Sequence, residues 1–374
     1  MRRLFPLTAL LAVLVLGLAL AGCGGGGSKS GGSGGAGSPT ALTRTPFLGV
    51  SPGLPLLASP ALFARETPVM ARSGVSTLRV PFYWSSLEPA KGKPRLARTD
   101  AIVAAAAKAK LDVLAVVVGT PTWAKANPYD SAAPPKDDRD YVRFVQALIA
   151  RYGSDGSLWR EQPDLPKVPV RAWQIWNEPS HDYYWSTQPW ARSYVKLLKA
   201  AHAAIAKADP AAKTVMAGFP DRSWDSLRQV EQAGARGSFD VAALHPYTAK
   251  VANVLKIVAL GRDALRKGGD ATTPIWLTEV AWSSGQGKVL PRNAFGFETT
   301  EQGQADRLAQ ALPLLNDNRR KLGIQRIYVE TWSSRGLNRK STWDWSGLRE
   351  VRGQTVRPKP AFAAFVRFAK TLPG

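Results

Sequence analysis

Eight short apolar runs alternate with alanine-rich amphipathic stretches along almost the whole chain, and few architectures accept that order. The runs are Phe47–Ser51, Ser76–Trp84, Leu111–Gly119, Val170–Asn177, Thr214–Phe219, Phe239–Tyr247, Ile275–Trp282 and Arg326–Trp332. Each is rich in Val, Ile, Leu and aromatics without strict alternation, as in parallel strands buried on both faces. Between and after them the spacing predicts helices over Pro60–Arg72, Asp100–Lys110, Asp138–Tyr152, Pro189–Ala208, Ser226–Arg236, Val251–Lys267, Thr300–Leu322 and Pro360–Thr371. Several open on proline or an Asp, Ser or Thr cap. Eight such units in about 330 residues predict an α/β fold of the (β/α)8 TIM-barrel type. A doubly wound open sheet is the alternative, but no glycine-rich phosphate fingerprint follows the first run.

The N-terminus reads as an address. Met1-Arg2-Arg3 is basic, Leu4 to Ala21 is almost wholly apolar, and Leu20-Ala21-Gly22-Cys23 follows. This is the order of a secretory signal, and its end resembles a bacterial lipobox. Residues 1–22 are therefore expected to be a signal peptide, with Cys23 lipidated as the mature N-terminus. The other reading is an uncleaved membrane anchor, since about 18 apolar residues just span a bilayer. Residues 23–44 are Gly/Ser-rich and predict a flexible tether, leaving 45–374 as the folded domain. The protein is expected to be exported and lipid-anchored to the outer face of the bacterial cell membrane, or periplasmic in a Gram-negative cell. Cys23 is the only cysteine, which excludes a disulfide framework.

Two glutamates stand where a barrel places its chemistry, at strand ends. The fourth run, Ala172-Trp173-Gln174-Ile175-Trp176-Asn177-Glu178-Pro179, is largely apolar until it delivers Asn177 and Glu178. The seventh, Ile275-Trp276-Leu277-Thr278-Glu279-Val280-Ala281-Trp282, puts Glu279 in the matching position. A carboxylate on an apolar parallel strand is costly to bury without a partner. Two converging on one rim point to a pair set apart in acidity.

With these glutamates, Thr77-Leu78-Arg79-Val80 with Trp84, Gly119-Thr120-Pro121-Thr122-Trp123, His245-Pro246-Tyr247 and Trp332-Ser333 make a set in order along the chain. The set resembles the retaining glycoside hydrolases of the (β/α)8 clan with acid/base on strand four and nucleophile on strand seven. It is most similar to family 39, with family 5 next, from Pro46 to about Leu372. The resemblance implies a glycosidase acting on O-glycosidic bonds of an extracellular or envelope polysaccharide or oligosaccharide by double displacement. It makes Glu279 the nucleophile and Glu178 the acid, later base. Arg79 would hold Glu279 ionised, Tyr247 would orient it, and its charge would favour the acid form of Glu178. Asn177 would bind the hydroxyl beside the reacting carbon. Trp84, Trp123, Trp282 and Trp332 would offer sugar platforms. His245 is a substrate contact or a satisfied core histidine. A glycan-binding lipoprotein without catalysis, or a transglycosylase of exopolysaccharide processing, are the alternatives.

Other residues carry bland readings. His202 is structural, and His181 and Asp182 belong to a solvated loop. Trp343-Asp344-Trp345, after the eighth run, caps the cleft or packs as a surface turn. No cofactor or metal is expected: there is no phosphate loop, no Gly-x-Ser-x-Gly elbow and no His-x-x-x-His pair. Lys+Arg 50 against Asp+Glu 28 gives +22, or about +20 once residues 1–22 and their two arginines are removed. That charge is spread along the chain without a dense cluster. It fits anionic lipid headgroups or acidic envelope polymers, and no nucleic-acid partner is expected.

Overall fold

In the computed structural model, which describes residues 47–373, each of the eight apolar runs forms a strand. They are β1 Leu48–Val50, β2 Thr77–Tyr83, β3 Asp112–Val118, β4 Ala172–Ile175, β5 Lys213–Phe219, β6 Val241–Leu244, β7 Ile275–Val280 and β8 Ile324–Val329. All neighbours pair in parallel, and β1 pairs with β8 to close a barrel. The principal helices are α1 Pro60–Arg72, α2 Ala97–Lys108, α3 Asp138–Tyr152, α4 Trp190–Ala208, α5 Ser223–Gln232, α6 Val251–Gly268, α7 Glu301–Asp317 and α8 Pro360–Ala369. The fold is a (β/α)8 TIM barrel. Residues 1–44, read above as signal peptide, lipidated Cys23 and tether, lie outside the described residues. Among the described residues no helix is long and apolar enough to cross a membrane.

Two apolar layers hold the barrel. Inside it, Leu114, Ala172, Val215, Val241, Trp276 and Tyr328 belong to one cluster. This is the side-chain plug that fills an eight-stranded barrel. Outside it, the remaining strand side chains meet the buried faces of the helices in a larger cluster. Alternation along each strand sorts residues between the layers. On β4, Ala172 and Gln174 face one way while Trp173 and Ile175 join the outer cluster.

Several predicted boundaries move, each for a local reason. The fourth run ends as a strand at Ile175 because Trp176 and Glu178 take left-handed backbone conformations, φ 71° and 43°. A bulky residue there is strained by about 1–3 kcal/mol. Trp176 is held by its indole N–H on the Tyr184 carbonyl at 3.0 Å and by contact with Tyr141 and Trp185. The predicted helix Thr300–Leu322 breaks at Asn318, whose side-chain amide donates back to the Leu314 carbonyl at 2.9 Å, and a separate turn, Arg319–Leu322, follows. Beyond β8, an unpredicted small sheet joins β9 Ser333–Ser334, β10 Arg349–Arg352 and β11 Thr355–Pro358. Its charged composition lacks the apolar signal that marks the barrel strands.

Candidate active site

The C-terminal mouth of the barrel gathers Arg79 from β2, Asn177 and Glu178 from beyond β4, His245 and Tyr247 from beyond β6, and Glu279 from β7. Arg79 is the hub, and it is buried. Its Nε donates to Gln174 Oε1 at 3.0 Å, Nη1 to Glu279 Oε1 at 2.6 Å and Nη2 to Asn177 Oδ1 at 2.7 Å. The Tyr247 hydroxyl donates to the other oxygen of Glu279, Oε2. Burial alone would push the Glu279 carboxyl up. The charges of His245 and Arg79, with hydrogen bonds from Tyr247 and Arg79, outweigh it and hold the group below its usual range. Burial, then the neighbouring carboxylates, drives the Tyr247 phenol well above its ordinary value, so it remains a donor.

Glu178 is held from the other side. Its Oε1 lies 2.6 Å from His245 Nδ1, and the Tyr183 hydroxyl donates to its Oε2 at 3.3 Å. The second histidine nitrogen lies 2.9 Å from Thr278 Oγ1 and 3.6 Å from Glu279 Oε1. Thr278 and Glu279 are consecutive, and a regular strand would send them to opposite faces. Both reach the mouth because the register of β7 against β8 shifts between Leu277 and Val280. His245 is wholly buried with both nitrogens engaged. It therefore reaches no sugar directly and acts on Glu178, which corrects its expected place as a substrate contact. Gly218 makes room for it, since a Cβ there would lie 1.9 Å from His245 Nε2.

Glu178, His245 and Glu279 each bring one ligand-type atom within 4.8 Å of the others. The distances would suit a metal ion, but the donor set does not offer itself. Glu178 Oε1 and His245 Nδ1 hold each other, Glu279 takes Arg79 and Tyr247, and His245 Nε2 faces Thr278. The positive charge an ion would bring is already supplied by the Arg79 guanidinium.

The tryptophans divide differently from expectation. Trp84, Trp282 and Trp332 are fully buried and present no face to a sugar. Trp84 stacks on Phe144, with its N–H 2.7 Å from Glu88 Oε2. The Trp282 N–H reaches the Thr248 carbonyl at 2.8 Å. Trp332 packs edge-on against Phe362 and Phe365 of α8, its N–H 2.9 Å from Glu66 Oε2. These three are braces between loops and helices, a correction to their reading as platforms. Only Trp123 of the four is part-exposed, flanked by Lys91 and Arg143.

The exposed aromatics are others, which sequence reasoning missed. Tyr83 is 45% exposed at the end of β2, Tyr183 is 57% exposed beside Glu178, and Phe295 is 62% exposed in the loop after β7. Trp343 packs on Tyr247 with centroids 4.9 Å apart and also touches Phe295 and Phe297, so the Trp343-Asp344-Trp345 turn roofs the Glu279 side. His181 stacks on Tyr183 at 4.9 Å and faces Asp221 at 3.5 Å. His202 lies 3.0 Å from Thr214 Oγ1, away from the mouth.

No protein-family model and no curated relative matches the sequence. Solved structures do. A family 39 glycoside hydrolase from the gut symbiont Bacteroides cellulosilyticus WH2 superposes with a TM-score of 0.63 at 20% identity, covering 88% of this chain and 64% of that one. A monomeric beta-xylosidase from Caulobacter crescentus CB15 gives 0.61 at 18%, covering 88% and 69%. A GH5_18 protein from Streptomyces cattleya, in complex with Manb1-4GlcNAc, gives 0.65 at 15%, covering 87% and 80%. The chain thus spans a little under two thirds of the first of these proteins. What it has in common with these glycoside hydrolases of families 39 and 5 is the fold, a closed (β/α)8 barrel over nearly all its described residues.

Proposed function

We propose that the protein is a retaining glycosidase with Glu279 as nucleophile and Glu178 as acid/base. One observation carries the reading: carboxylate oxygens of Glu178 and Glu279 lie within 4.8 Å of each other at the ends of β7 and beyond β4. Retaining enzymes hold the pair about 5–5.5 Å apart, and inverting ones about 6.5–9.5 Å, to admit a water. Glu279, kept charged by the bonds from Arg79 and Tyr247, attacks the anomeric carbon and forms a glycosyl ester as the glycosidic C–O bond breaks. Glu178 gives its proton to the departing oxygen. Glu178 then takes a proton from water, whose oxygen displaces Glu279 and restores the starting configuration. The beta-xylosidase among the structural neighbours makes aryl β-glycosides the first substrates to try.

The experiment is a pair of variants. Glu279→Ala abolishes turnover. Glu178→Ala loses about 10²–10⁴-fold on substrates with poor leaving groups and recovers with azide on an activated aryl glycoside. Unchanged turnover in both variants refutes the assignment. Analysis of products with added acceptor sugars separates hydrolysis from transfer.

The site of action is proposed to be the outer face of the cell membrane or the periplasm, on an envelope or extracellular glycan. The basic stretch, apolar run and Cys23 support this reading. Cys23→Ser is expected to move the protein from the membrane fraction to the soluble exported fraction. Retention in the membrane would refute lipid anchoring at that residue.

A further inference from the structure

A third carboxyl stands in the mouth. Glu330 follows the last residue of β8, and its backbone N–H bonds the Val280 carbonyl at 3.0 Å, one residue past Glu279. The charged and titratable groups that face it come from the elements around the mouth: Arg79 and Tyr83 on β2, Glu178 beyond β4, Tyr247 beyond β6 and Glu279 on β7. Glu330 is part-exposed. Among the described residues, Oε2 has no partner at hydrogen-bond distance and angle, and neither has Oγ of Ser51, the residue after β1 that faces the carboxyl. Arg79, whose charge acts on this carboxyl, gives one bond each from Nε, Nη1 and Nη2 to Gln174, Glu279 and Asn177.

A carboxyl beside Glu279 that is incompletely satisfied is a cost to the free protein, and because the residue is part-exposed a ligand bearing donors reaches it from its open side and relieves that cost. Sugar hydroxyls are such donors, and a hydroxyl also accepts a bond from a serine. Burial, then repulsion by Glu279, pushes the Glu330 carboxyl up to about 7, so near neutrality both its donor and its acceptor forms are populated.

We propose that Glu330 is a specificity-determining residue, whose carboxyl hydrogen-bonds a hydroxyl of the sugar ring that is cleaved from its leaving group. The inference rests on the glycosidase reading. It places the selection of the ring on β8, beside Glu279, and separates it from the Asn177 side of the site.

The test uses the full chain with a panel of dinitrophenyl β-glycosides and the monodeoxy analogues of the best substrate. Glu330→Gln and Glu330→Ala are compared with the wild type, and retained folding is checked by circular dichroism. The expected result is a fall in kcat/KM of about 10–100-fold on the parent sugar, as for a lost hydrogen bond to a charged or buried group. The loss shrinks to under threefold on the one deoxy analogue lacking the contacted hydroxyl. An equal loss on the parent and every analogue means that Glu330 acts only through the charge of Glu279, and overturns the proposal. So do unchanged kinetics in both variants. A wild type that cleaves no glycoside and is not labelled at Glu279 by 2-deoxy-2-fluoroglycosyl fluorides sinks the glycosidase reading itself, and this inference with it.

Discussion

Gly218→Ala is the sharpest steric test of the site. Gly218 is the sixth residue of β5, and the register of β5 against β6 shifts between Val215 and Gly218. Its φ is not in the left-handed region, so alanine meets no backbone penalty there, and the chain even gains about 0.4–1 kcal/mol through its unfolded state. The added Cβ, however, falls 1.9 Å from His245 Nε2 and 2.5 Å from its Cδ2. Ordinary contact begins at 3.4 Å, so the imidazole must withdraw by 3.4 − 1.9 = 1.5 Å. A retreat of that size breaks the 2.6 Å bond to Glu178, the 2.9 Å bond to Thr278, or both. Overpacking of this kind costs about 1–3 kcal/mol, so Tm should fall by only a few degrees. Activity should suffer far more, because misplacing a catalytic group by about 1 Å costs on the order of 100-fold. The assay is kcat/KM on the best aryl glycoside beside a thermal melt, for Gly218→Ala, His245→Ala and the double variant. Since alanine at 245 removes the atom struck, the second substitution should add little to the first. Activity within threefold of wild type, or strictly additive losses in the double variant, would refute the placement of His245 behind Glu178.

Three further outcomes are expected. The Glu330 carboxyl titrates near 7 in the fold, against 4.5 ordinarily, so between those values the native state keeps a proton that the unfolded chain releases. Its contribution to stability is therefore lost as pH rises from about 4.5 to about 7, and Glu330→Gln should gain about 1–3 kcal/mol over wild type between pH 4.5 and pH 8 in urea unfolding; a pH-independent difference would show that the carboxyl is not desolvated. Trp332→Phe should lower stability by about 1–3 kcal/mol through the lost bond to Glu66 while leaving KM unchanged, and Tyr183→Ala should raise KM with Tm unchanged; the reverse pattern would return Trp332 to the sugar.

Much of the architecture was legible because burial on both faces writes itself as unbroken apolar runs, and all eight became strands. Glu178 and Glu279 were legible for the complementary reason, a charge that such a run does not otherwise tolerate. The same rule applies to Ile327-Tyr328-Val329-Glu330, so Glu330 carries a readable signal of the same kind at the end of the eighth run. The direction of the tryptophans was not legible. Facing is set by a period of two within a strand, but Trp84 opens a helical turn, and Trp282 and Trp332 lie two and three residues past their strand ends. There the parity no longer holds. Nor does any local pattern announce that Thr278 and Glu279 share a face, since that depends on how β8 is placed beside β7. Gln174 was hidden as one polar residue in an apolar run, and only the position of Arg79 gives it meaning.

The three bonds of Arg79 also bear on how such a site comes into being. They join residues 95, 98 and 200 positions apart, to Gln174, Asn177 and Glu279. A chain folded only as far as β4 already owns the guanidinium and the amide, with Glu178 just beyond, but it lacks Glu279. The charge on Glu279 finds its counterpart only when the last strands close the ring. Contacts of such long reach form late, so competence for chemistry arrives as an all-or-none property of the completed circle, and a severed or half-grown barrel would carry a positive pole with nothing to neutralise.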